Sequence, residues 1–132
     1  MSKNRGFSLI EMLIVLAIMA GIIGLLVTNM DGIFSRSKEQ MARIFVSETV
    51  KIPLMAYKIS IGEYPSTAEG LKALVNAPAG KERRWKGPYM ESLPQDPWGN
   101  DYRYAYPGVH NKAKYDVWSN GSLNKGEKIG NW

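Results

Sequence analysis

The sequence predicts an α+β chain: one long N-terminal helix, membrane-spanning in its first half, packed on a small domain with a short helix and a small antiparallel sheet. Three observations predict it. Residues 7–28 hold a single charge in 22 positions. The apolar residues that follow recur at helical spacings. All four Trp and all seven Tyr lie from Tyr57 onward, so the core beyond the helix is aromatic. At 132 residues the chain has room for one modest domain beside the apolar run.

The run from Phe7 to Thr28 supplies the roughly 20 apolar residues that cross a bilayer. A secretory signal would carry a shorter apolar region, about 7–15 residues, and a small-residue cleavage site. Residues 27–32 (VTNMDG) contain no such site. Lys3 and Arg5 place a positive flank before the run, which favours that end staying in the cytoplasm. Glu11 is what a plain anchor does not explain, because a carboxylate costs about 2.5–3.5 kcal/mol at the bilayer centre and less near an interface. Two readings are open. Glu11 is hydrated among the headgroups, or it meets a positive partner inside the membrane, such as a neighbouring subunit's N-terminal amine if a cut exposes one at Phe7.

After Thr28 the pattern becomes amphipathic. Phe34, Met41, Phe45, Val46, Val50, Leu54, Tyr57 and Ile61 form a helical stripe, with Lys38, Glu39, Arg43, Glu48 and Lys51 on the other faces. The simplest reading is one helix from about Phe7 to about Ile61, roughly 80 Å long at about 1.5 Å per residue. Pro53 removes a backbone donor inside it, so a kink or local break is expected there. Gly21 and Gly24 loosen the apolar half. Gly62-Glu63-Tyr64-Pro65 ends the helix, and Ser66-Thr67-Ala68-Glu69 reads as a capping box. It opens a short helix with Leu71, Leu74 and Val75 buried.

Residues 76–88 are loop, and the cluster Lys81, Arg83, Arg84 and Lys86 reads as a solvated face. Asp96-Pro97-Trp98-Gly99 has the composition of a type I turn. Tyr102, Tyr104 and Tyr106 alternate as in a half-buried strand, and three aromatics on one strand face read as core. A Pro107-Gly108 turn follows, then a second strand over Tyr115-Asp116-Val117-Trp118, and loop from Ser119 to the end.

Composition narrows the chemistry. The formal charge is +5, and without Lys3 and Arg5 it is +3, with the basic residues scattered rather than striped. That argues against nucleic acid as a partner. The absence of cysteine excludes a disulfide scaffold, a thiolate metal site and a catalytic thiol. His110 is the only histidine, so a His-based triad or a two-His metal site lacks its parts. Asp96 and Asp101 are explained by the turn and the strand start. No catalytic residue stands out, and the sequence argues against an enzyme.

Residues 5–11, Arg-Gly-Phe-Ser-Leu-Ile-Glu, resemble the class III leader signature of type IV pilins and pseudopilins. The resemblance implies a prepilin peptidase that cuts between Gly6 and Phe7 and methylates the new terminus at Phe7. It also implies a docking role for Glu11, which sets axial register. Residues 62–71 (GEYPSTAEGL), 93–102 (LPQDPWGNDY) and 129–132 (IGNW) are similar to the major pseudopilin of type II secretion systems. With the leader, that resemblance covers nearly the whole chain. Ordinary type IV pilins close a C-terminal loop with a disulfide, which this chain cannot form.

The resemblance implies a leader at 1–6, a transmembrane and polymerisation helix at 7–28, and a periplasmic pilin-like domain at 29–132. The subunit would wait in the inner membrane, N-terminus cytoplasmic, and then join a periplasmic pseudopilus that drives protein export. Its partners would be further copies of itself, minor pseudopilins, the inner-membrane assembly platform and the prepilin peptidase. The runner-up is a type IV pilus or competence subunit; a third reading is an anchored periplasmic binding module never cut at Gly6. Family members also bind calcium before the final Ile-Gly-Asn-Trp through several aspartates. Here residues 119–128 read SNGSLNKGEK, with Glu127 the one carboxylate. Asp116, Asn120 and Glu127 could supply a few oxygens, but Lys125 and Lys128 oppose a divalent cation. No cofactor is therefore expected, and a lysine bound to loop carbonyls could stand in for calcium.

Overall fold

The computed structural model describes residues 6–122 and 126–132. Contacts divide the chain into two compact units, Met1–Arg36 and Ser37–Trp132. The first helix, α1 (Leu9–Ile44), begins in the first unit and ends in the second. Its first i→i−4 bond joins the Met12 amide to the Ser8 carbonyl at 3.2 Å.

A π-helical turn, Phe45–Thr49, joins α1 to α2 (Lys51–Ile61). There the Val50 amide reaches back five residues to the Phe45 carbonyl at 3.1 Å, and the Leu54 amide resumes four-residue spacing on Val50 at 3.1 Å. Pro53 thus falls in the first turn of α2, where its missing N–H leaves the least unpaired. The expected disturbance sits one turn upstream of Pro53 as a widened loop of helix rather than a break. α2 ends at Gly62, whose φ of 103° is open to glycine alone at little cost. Its amide bonds to the Lys58 carbonyl at 2.7 Å.

The stripe is buried from Phe45 through Val46, Val50, Leu54, Tyr57 and Ile61. Two of its expected members are not: Phe34 and Met41 are exposed, whereas Ala42 is fully buried. Apolar spacing alone cannot tell where along a helix the covering domain begins, and here cover starts only at Ala42.

The capping-box bonds form between Ser66 and Glu69: the Ser66 amide donates to Glu69 Oε2 at 2.9 Å, and the Glu69 amide to Ser66 Oγ at 3.2 Å. They close a turn, not an α-helix, because Gly70 follows at a φ of 62°. The short helix is one 3₁₀ turn, Leu71–Leu74, burying Leu71, Ala73 and Leu74 but only part of Val75.

Three short strands form one antiparallel sheet in the order β1 (Arg103–Ala105), β2 (Asp116–Ser119), β3 (Ile129–Gly130). Tyr104 pairs with Val117, and Ser119 with Ile129. β3 corrects the expectation of an all-loop tail: two residues are too few to carry a period-2 signal. Against the helix packs an aromatic layer, with Phe45 stacked on Tyr102 at 4.1 Å and Tyr64 edge-on to Tyr115 at 4.9 Å. The Tyr104 hydroxyl donates to the Pro65 carbonyl at 2.8 Å. Burial pushes the Tyr102 phenol up to about 12, helped by the Asp96 charge.

Candidate assembly segment and C-terminal loop

Gly6, Phe7 and Ser8 precede the first helical turn as irregular, exposed backbone. A Cβ on Gly6 would meet nothing within 4 Å, and Phe7 is 76% exposed. The Gly6–Phe7 peptide bond is therefore accessible. Arg5 and Lys3 lie outside the described residues. Glu11 occupies the first turn of α1, three residues after Ser8. That spacing is also a capping-box pattern. A carboxylate there is stabilised by the helix dipole, typically by about 0.3–1 kcal/mol. Glu11 is exposed, with no ion-pair partner among the described residues.

Beyond Glu11 the helix is apolar on every face, and no residue of its most apolar 18-residue window is buried in the chain. By length and composition it can cross a membrane. Where the run ends, Thr28 Oγ1 and Asn29 Nδ2 both donate to the Leu25 carbonyl, at 3.0 and 2.8 Å. The helix itself so satisfies its first polar side chains after Glu11.

Of the basic cluster, Arg83, Arg84 and Lys86 are exposed as expected, and Lys81 is half-buried. Lys81 lies 2.9 Å from Glu69 and 3.5 Å from Glu63, and Arg84 donates to the Ile61 carbonyl at 2.8 Å, closing the end of α2. Burial alone would lower Lys81, but the Glu69 hydrogen bond and charge raise it. Burial alone would raise Glu69, but Lys81 and the Ser66 amide hold it below the usual carboxylate range.

Asp96 and Asp101 are not a working pair, since Asp96 is buried and Asp101 exposed. The Gly99 amide donates to the Asp96 carbonyl at 2.9 Å, completing the expected turn. Asp96 Oδ1 accepts from the Trp98 and Asn100 amides at 3.0 and 2.8 Å, and Oδ2 accepts from the Ser119 hydroxyl at 2.5 Å. His110 stacks on Trp132 with ring centroids 3.7 Å apart, and its Nδ1 lies 3.2 Å from Asp116 Oδ2.

Two family profiles together cover almost the whole chain. The prokaryotic N-terminal methylation motif matches residues 1–27, and the family described as type II secretion system (T2SS), protein G, matches residues 29–131. The chain belongs to the type II secretion protein G family. The core protein G of Aeromonas hydrophila is 38% identical across 100% of this chain and 96% of that protein. The Klebsiella pneumoniae core protein G is 36% identical across the same shares. The major pseudopilin from the type 2 secretion system of enterohaemorrhagic Escherichia coli superposes with a TM-score of 0.61 at 32% identity, covering 79% of this chain and 94% of that one. These likenesses favour the secretion pseudopilin over the type IV pilus reading.

The sequence leaves Asp116, Asn120 and Glu127 as candidate calcium oxygens beside the C-terminal loop. A hard cation of this kind takes about six to eight. Asp116, the best-placed aspartate, is already enclosed: Oδ2 accepts from the Val109 and His110 amides, both at 2.8 Å, and Oδ1 from the Asn111 amide at 2.9 Å. Burial alone would raise this carboxyl, but those amides and the His110 ring hold it below the usual range. A Cβ on Gly108 would lie 2.5 Å from Asp116 Oδ1, so only glycine admits the carboxylate here. Among the described residues no buried side-chain nitrogen or oxygen is left without a hydrogen bond, and no group of three His, Cys, Asp or Glu could share a metal. Among the described residues, the side chains therefore gather no calcium donor set. Of the two loop lysines, either of which could stand in for the cation, Lys125 lies outside the described residues and Lys128 sets its ammonium 5.5 Å over the Trp118 ring.

Proposed function

We propose that the chain is a structural subunit, not an enzyme, of the periplasmic pseudopilus that drives type II protein export. A prepilin peptidase removes residues 1–6 and methylates Phe7. The segment 7–28 holds the processed subunit in the inner membrane, N-terminus cytoplasmic as the Lys3 and Arg5 flank favours, and the domain from 29 onward stands in the periplasm. The assembly platform and minor pseudopilins then recruit it into a filament of its own copies.

One observation carries the reading: a helix exposed and apolar on every face is joined to a domain whose core is already complete. Lipid covers such a helix in the single subunit, and neighbouring helices cover it in a filament. Glu11, the one charge in that segment, is then neutralised by the Phe7 amine of the next subunit, which fixes axial register.

The test compares Glu11→Ala with the unaltered chain. Membrane insertion is expected to be unchanged, while filament yield and export fall roughly tenfold or more, the effect of losing about 1.4 kcal/mol. Normal export by this variant would contradict the register role.

A further inference from the structure

We propose that this chain closes its C-terminal loop without a divalent cation, through a staple in which Asp96 grips Ser119 and Ser119 holds Gly121. Asp96 is 4% and Ser119 0% exposed. The Ser119 hydroxyl donates to Asp96 Oδ2 at 2.5 Å and accepts the Gly121 amide at 3.0 Å. Through its other oxygen Asp96 holds the turn at Trp98 and Asn100. One buried carboxylate thus ties residues 96–100 to the end of β2 and the first residues of the loop.

The loop's returning limb is fixed to the same place. Ser119 pairs with Ile129 across the sheet, and a Cβ on Gly121 would lie 2.7 Å from the Glu127 carbonyl oxygen. The limbs therefore meet at Gly121 and Glu127, at a spacing that glycine alone permits. The electrostatics agree with the geometry. The cleft beside the loop is lined by Glu39 and Glu127 but also by Arg43 and Lys128, so it carries no net negative charge to attract a dication. Asp96 and Asp116 already have both carboxylate oxygens hydrogen-bonded within the chain. A charged hydrogen bond in a buried setting supplies locally what a bound ion would otherwise supply.

This inference does not rest on the filament reading, and it is measured on the unassembled full-length chain in detergent micelles. Thermal unfolding followed by tryptophan fluorescence is compared in millimolar calcium chloride and in EGTA. The two midpoints of the unaltered chain are expected to agree within about 1 °C, whereas a calcium site of micromolar affinity would separate them by more than about 5 °C. Ser119→Ala is expected to lower the midpoint by about 4–8 °C, equally in both buffers. A calcium-dependent midpoint in the unaltered chain, or rescue of Ser119→Ala by calcium, would overturn the proposal. So would a Ser119→Ala midpoint equal to that of the unaltered chain. Should Ser119→Ala fail to fold, isothermal titration of the unaltered chain with calcium decides alone: no heat of binding supports the staple, and a micromolar Kd refutes it.

Discussion

Residues 9–27 and 42–61 are two stretches of helix, both rich in aliphatic side chains, with opposite fates. In the first, Leu13, Leu16, Ile23 and Leu26 are all more than half exposed; in the second, Val46, Val50, Leu54 and Tyr57 are wholly buried. The difference lies in pattern rather than hydrophobicity. From 42 onward a continuous apolar stripe lies on one face, where one small domain can cover it, while Ile44, Ile52, Met55 and Ile59 stay exposed among the charges. Before Thr28 apolar residues occupy every face, and no single domain can cover them. One segment is finished by its own chain, and the other needs lipid or further chains.

The sharpest way to break this contrast is to truncate one leucine on each side. Leu54→Ala should cost the folded domain about 3 kcal/mol, read by urea denaturation, since Leu54 is fully buried in the core. Leu16→Ala should leave the domain's denaturation midpoint unchanged and lower only filament yield. Equal losses would mean that the first segment packs on the domain after all.

A second comparison concerns charge. Asp116 holds three backbone amides inside the domain, whereas Glu11 has no such cradle. Asp116→Ala should therefore cost about 2–3 kcal/mol, because it leaves buried amides unpaired. The sign of the pH effect follows from the lowered Asp116 and Glu69 carboxyls. Their contribution is fully present above the ordinary carboxylate range near about 4 and is lost as pH falls through the depressed folded values. Acid titration of domain stability should show this loss, and Asp116→Asn should flatten it. Gly108→Ala, which sets a Cβ against the same carboxylate, should mimic the defect at about 1–3 kcal/mol.

Smaller effects are expected at the surface. Lys81→Ala should cost about 1 kcal/mol and less in high salt, as its partners Glu63 and Glu69 are partly solvated. At Glu11, Glu11→Gln keeps a side chain able to cap the first turn but removes the charge. If Glu11→Gln assembles as poorly as Glu11→Ala, the charge matters; if it assembles normally, capping of the first turn does.

Much of the fold could be read in advance because local spacing carried it. The stripe from Phe45 to Ile61, the stop at Gly62, the turn at Asp96–Gly99 and the two main strands all follow from period or turn chemistry. What escaped depends on distant partners. Phe34 and Met41 keep the helical period but lie before the covering domain begins. Lys81 looked like solvent-facing charge until Glu69 came within reach, and Arg84, though exposed, also donates to the Ile61 carbonyl. The Asp96–Ser119 bond joins residues 23 positions apart, and no local pattern announces it. The segment around Gly6, Phe7 and Glu11 was conspicuous in sequence because a lone carboxylate in an apolar run is costly, yet the role proposed for it depends on other molecules.

The central claim is that residues 7–28 become an assembly helix by processing at Gly6. Mass spectrometry of the chain purified from the cells that make it tests this most directly. The account predicts a chain starting at Phe7 and carrying one added methyl group on its amine. A chain retaining Met1, with no methyl at Phe7, would contradict it.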